Sequence, residues 1–146
     1  MRTRTLLLLA VACGVAILVA GAALFIQLAG QDEPAEPIGL GVEATVGDLD
    51  VAVDSFVDGD DRVEVIVELG GVDDDDAASG FTLVTPSGPV GAADDIAGTD
   101  PAVCRAVTVA ARRCTLVFTL PPEPGTTRVL VLRRGGEQIR WDLVTA

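Results

Sequence analysis

Residues 48–69 read DLDVAVDSFVDGDDRVEVIVEL, and the alternation within them decides the fold class. In Asp48–Asp54, Leu49, Val51 and Val53 share one face, while Asp48, Asp50 and Asp54 share the other. In Arg62–Leu69, Val63, Val65, Val67 and Leu69 oppose Arg62, Glu64 and Glu68. Successive strand side chains point to opposite faces, so a repeat of two means strands with one buried face. An amphipathic helix would repeat near 3.6. Asp58-Gly59 between the two runs signals a hairpin turn. The phase slips at Ser55-Phe56, which predicts a bulge or the end of the first strand.

The same period recurs downstream. Phe81–Thr85 reads as a short strand closed by a turn at Pro86–Pro89, and 90–101 as an irregular connection. Val103–Val109 and Cys114–Leu120 are predicted strands, the second with Cys114, Leu116, Phe118 and Leu120 on one face. Arg128–Leu132 follows, then a hairpin at Gly135-Gly136. Ile139–Val144 is the last strand, with Ile139, Trp141 and Leu143 on one face. About seven short strands without an amphipathic helix predict an antiparallel β-sandwich, with the single Trp in its core.

Upstream, Arg2 and Arg4 precede an apolar run, Leu6–Leu28, interrupted only by Gln27. As a helix it would reach roughly 34 Å, enough to cross a hydrocarbon core of about 30 Å. Basic residues lie only on its N-terminal side. Residues 1–30 therefore read as a single-pass membrane anchor with a cytoplasmic N-terminus and everything after it outside. The alternative is a signal peptide cleaved after Ala20-Gly21-Ala22, which would release a secreted domain. Residues 31–43, rich in Pro, Gly and acids, read as a mobile linker, and 44–146 as the extracytoplasmic domain.

The chain carries a net charge of −12. Without Arg2 and Arg4, eight basic residues face 22 acids, so the exported part is near −14. That charge disfavours nucleic acid and anionic headgroups as direct partners, and leaves the N-terminal helix as the only membrane contact. Lys, Asn and Tyr are absent, as expected of a high-GC genome, and no N-glycosylation sequon exists.

Histidine is absent too, which excludes His-based acid–base work, Ser-His-Asp and Cys-His systems and His-containing zinc sites. Ser55, Ser79 and Ser87 lie in no nucleophile elbow, and neither a P-loop nor a dinucleotide fingerprint occurs. No enzyme and no cofactor are expected. Asp54, Asp58, Asp60 and Asp61 around the first hairpin are candidate calcium ligands, although they lack the EF-hand order. Asp73–Asp76 form a second acidic loop. The competing reading is solvated loops that guard the sheet ends. Outside the cytosol, Cys104 and Cys114 are expected to form a structural disulfide, out of reach of Cys13.

Four stretches together resemble a known family: Ala44–Leu49, Phe81–Val84 followed by Pro86-Ser87-Gly88, Leu116–Pro121, and Arg140–Leu143. They are similar, in order and spacing, to the immunoglobulin-like, telokin-like domains of unknown function found in exported bacterial proteins. The resemblance implies an immunoglobulin-like sandwich behind a signal or anchor, with no catalytic residues. The expected function is a non-catalytic binding or interaction module of the cell envelope, its partner an unidentified envelope protein or polymer. The alternative is a calcium-stabilised extracellular domain.

Overall fold

A computed structural model describes residues 2–29, 36–94 and 101–144. The chain divides into two compact units, Met1–Pro34 and Ala35–Ala146. The first is one helix, α1 (Arg2–Ala29), with no buried side chain and a mean hydropathy of 2.7 in its most apolar window. It is long and apolar enough to cross a membrane, and a signal sequence would have the same character. Cys13 lies exposed on it as a free thiol.

Among its described residues the second unit holds eight strands: β1 (Glu43–Val46), β2 (Leu49–Asp58), β3 (Arg62–Gly70), β4 (Phe81–Thr85), β5 (Gly88–Gly91), β6 (Arg112–Thr119), β7 (Val129–Arg134) and β8 (Glu137–Asp142). They form two four-stranded antiparallel sheets, ordered β1-β2-β3-β6 and β5-β4-β7-β8. The faces that alternation assigned inward meet between the sheets. Leu49, Val51, Val53, Val63, Val65, Val67, Leu116 and Phe118 from one sheet pack with Phe81, Leu83, Leu130, Leu132 and Trp141 from the other. Burying such side chains supplies roughly 1.5–3 kcal/mol each, the main force holding the sheets together. The phase slip is a bulge: the β2–β3 register shifts between Val53 and Ser55, and β2 continues to Asp58.

Three features depart from what alternation assigned, although the family resemblance did put a first strand at Ala44–Leu49. Glu43–Val46 is a strand, turned onto β2 through Gly47-Asp48. Gly88–Gly91 is a strand rather than only a turn; Pro89, which has no N–H to donate, is tolerated because β5 is an edge. Val103–Val109 is not a strand and makes only isolated bridges, Asp74 with Val107 and Val103 with Thr115. Its buried residues, Cys104 and Val107, are three apart, which no extended ladder can present to one face. Cys104 and Cys114 are disulfide-bonded, with Cα atoms 5.0 Å apart and a sequence separation of 10. Closing so short a loop stabilises by roughly 2–3 kcal/mol in the chain-entropy account.

Part of the stretch read as linker is built into this unit. The Ile38 N–H donates to the Arg140 carbonyl (2.8 Å) and the Gly41 N–H to that of Val53 (2.7 Å), while Ile38 packs on the core. The chain thus enters along the open edge of β8 before it turns into β1.

Candidate functional site

The two ends of the sandwich are finished differently. At the first, which we call the clamp end, lie the β1–β2 turn, the β7–β8 hairpin and the loop after β3. Both turns have two residues, Gly47-Asp48 and Gly135-Gly136, as the flanking pairs Val46↔Leu49 and Arg134↔Glu137 require. Gly135 and Gly136 both have positive φ, 58° and 83°, the conformation that lets a two-residue turn follow the strand twist.

That hairpin puts Arg134 at the end of β7, where its Nε donates to Asp48 and its Nη1 to Asp74 at 2.7 Å. One guanidinium thus ties a turn of one sheet and an inter-sheet loop to a strand of the other. The Gly47 N–H donates to Glu137 (2.8 Å), a second tie between the sheets. Arg134 holds the Asp48 carboxyl below its ordinary range. Asp74 is lowered first by the Asp76 N–H, which donates to it at 2.9 Å, and then by Arg134. The paired carboxylates, Asp48 foremost, push Arg134 upward in turn. Asp73 accepts from the Val109 N–H (3.3 Å), and Asp74 exchanges backbone bonds with Val107 at 3.0 and 2.8 Å. The loop Asp73–Asp76 is therefore fastened through its first two acids.

The four acids around the first hairpin are dispersed. Asp54 pairs with Arg113 (2.6 Å) and Asp58 with Arg128 (3.3 Å). Asp60 and Asp61 lie exposed on the turn, where the Asp61 carbonyl accepts from the Leu120 N–H (2.8 Å). Among the described residues no three or more His, Cys, Asp or Glu side chains gather as a metal would need.

The opposite end, which we call the cleft end, is built around the loop 121–128. Gly125 has φ +68°, and a Cβ there would fall 2.7 Å from the ring of Pro86, so only glycine fits. Ser87 Oγ donates to the Glu123 carbonyl (2.7 Å) and fastens the loop to the β4–β5 turn. The loop folds over Arg128, which is only 5% exposed. Arg128 Nη1 donates to the carbonyls of Pro124 (3.3 Å), Gly125 (2.9 Å) and Thr127 (3.1 Å), and Nε to Asp58. A buried guanidinium needs such partners, because desolvating it alone would cost several kcal/mol.

Beside Arg128 opens a cleft of about 460 Å³. Asp58 and Arg128 line it from between the sheets. Thr126 and Thr127 come from the loop, and Arg140 and Asp142 from β8. Trp141 points into the core, so Arg140 and Asp142 stand on the outer face of their strand. Among the described residues, the buried Arg140 Nε meets no hydrogen-bond partner. Sequence reasoning singled out none of these arginines. The carboxylate partners of Arg128 and Arg134 lie 60 to 86 residues away along the chain, beyond the reach of any local pattern.

No family model matches the chain, and no curated protein matches its sequence. Two solved structures are similar in fold. One is YjhA from Bacillus subtilis, at 13% identity and a TM-score of 0.52, covering 72% of this chain and 98% of that one. The other is a secreted protein of Mycobacterium tuberculosis, MPT63, at 18% identity and a TM-score of 0.49, covering 74% and 98%.

Proposed function

We propose that this chain is a non-catalytic, extracytoplasmic binding or interaction module of the bacterial cell envelope, held at the membrane by α1 with its N-terminus in the cytoplasm. The observation that carries this reading is the order of parts. An apolar helix whose charged residues, Arg2 and Arg4, both lie in its first turn is followed by a β-sandwich with an exported-type disulfide. Kinship with the immunoglobulin-like, telokin-like domains belongs to the same reading. The cleft end supplies the binding surface, and an envelope protein or polymer is the partner. The non-catalytic reading is supported by the absence of histidine and by three serines that lie in no nucleophile elbow.

The test is topology. Produced in a bacterium, the full chain should stay with the membranes through a carbonate wash, and protease added to spheroplasts should remove the domain. A soluble product beginning near Ala23 would replace the anchor with a cleaved signal. A domain that resists external protease until the membrane is opened would overturn the exported reading altogether.

A further inference from the structure

The cleft end holds a positive hydrogen-bond donor that no acceptor among the described residues meets. The domain is strongly acidic, and four other arginines, Arg62, Arg113, Arg128 and Arg134, each meet a carboxylate. Arg140 does not follow them: its Nε–H is buried without an acceptor. An unmatched buried donor costs about 1–3 kcal/mol, more when it is charged. Such a group is stable only when something else supplies the acceptor, or when the fold tolerates the cost for a purpose. Arg128, nine-tenths buried in the same cleft, donates through Nε and Nη1. Arg128 also lines this cleft. Thr126 and Thr127 add two hydroxyls to the same wall.

From this geometry we propose that the cleft is a binding site for a carboxylate borne on a small apolar group, with Arg140 as the principal binding residue and Arg128 as the second. A guanidinium fork matches the two oxygens of a planar carboxylate, and hydrogen bonds between charged partners are the stronger kind. The other charged groups of the cleft set the rest of the ligand. Asp58 is already engaged by Arg128, whereas Asp142 is exposed at the rim and repels a second negative charge. The domain's net charge repels polyanions at longer range. A single carboxylate is therefore favoured over phosphate chains or acidic polymers. Val129, Leu143 and Val144 supply the apolar contact, and the volume accommodates a group of a few carbons. Two sources share this chemistry, a free short-chain acid and the C-terminal carboxylate of a peptide.

This proposal rests on the reading of the domain as a binding module, but it is tested separately from its location. The full chain in nonionic detergent micelles is titrated with isobutyrate, isobutyramide, sodium chloride, and acetyl-Ala-Ala with a free or an amidated C-terminus, and followed by ¹⁵N–¹H NMR. The proposal predicts a saturable shift of the Arg140 Nε–H and of the Thr126 and Thr127 amides with the carboxylates, and none with the amides or chloride at equal ionic strength. Saturation by isobutyrate at lower concentration assigns a free acid, and by the free peptide a chain terminus. Arg140→Gln should weaken the binding at least tenfold while the melting temperature stays within a few degrees. Arg112→Gln, an exposed arginine outside the cleft, should bind as the parent does. Equal shifts with chloride, no shift with either carboxylate, or an Arg140→Gln variant that binds normally would each overturn the proposal. None of these failures would move the protease result that tests the exported location.

Discussion

At the clamp end Arg134 directs both arms of its guanidinium at carboxylates, Asp48 and Asp74, and the side chains around it are consumed in holding two sheets together. At the cleft end Arg128 is gripped mainly by backbone carbonyls, and Arg140 keeps a donor without an acceptor. The three arginines belong to the same pair of neighbouring strands or their immediate flank, within thirteen positions of sequence. What separates them is which acceptors reach each arginine. The β1–β2 turn and the loop after β3 bring carboxylates to the clamp end. The loop at the cleft end is rich in Pro, Gly and Thr and gives Arg128 three backbone carbonyls beside the Asp58 carboxylate.

The largest expected effect comes from Arg128. Arg128→Met would leave three loop carbonyls and Asp58 facing a side chain that cannot donate, at a cost of about 2–4 kcal/mol. The melting temperature should fall by roughly 10 °C or more. Calorimetry checks this, and a fall no larger than that of an exposed arginine would show that the loop does not depend on its central residue.

A smaller effect is expected at the clamp end, because Asp48 and Asp74 remain in contact with solvent. Both carboxyls have folded values below the ordinary 3.8. A depressed folded value means that the stabilisation is complete above the unfolded value and is lost as pH falls through the folded one. Arg134→Gln should therefore lower the melting temperature modestly near neutrality. The gap to the parent should close as pH drops below about 3.8. A gap that persists unchanged to strong acid would mean that these ion pairs are not what Arg134 contributes.

The sandwich was legible because its inward faces are written in strict alternation. Leu49 through Val53, Val63 through Leu69 and Ile139 through Leu143 needed no knowledge of their partners, and the bulge announced itself as a broken phase at Ser55. Alternation misled at Val103–Val109, where the apolar residues are held by a disulfide and by bonds to Asp74 rather than by a ladder. It was silent at β1 and β5, which are four residues long and set among Gly and Pro, where the pattern is too short to rise above its surroundings. At the ends of the sandwich the turns at Asp58-Gly59 and Gly135-Gly136 were legible, but the side-chain pairings around them were not. Asp54 and Asp58 drew notice as acids among acids, yet what defines them is an arginine from a distant strand, Arg113 or Arg128. Pairings of that kind are made by topology, and no local spacing encodes them.

The contrast between the two ends reduces to whether an arginine's donor is matched, and hydrogen exchange at the side-chain Nε–H reads that directly. In the unliganded full chain in micelles, the Arg128 and Arg134 Nε–H groups should exchange slowly, each bonded to a carboxylate. The Arg140 Nε–H should exchange many times faster despite its burial. An Arg140 Nε–H as protected as that of Arg134 would mean that the cleft end is closed as the clamp end is, and would contradict the account.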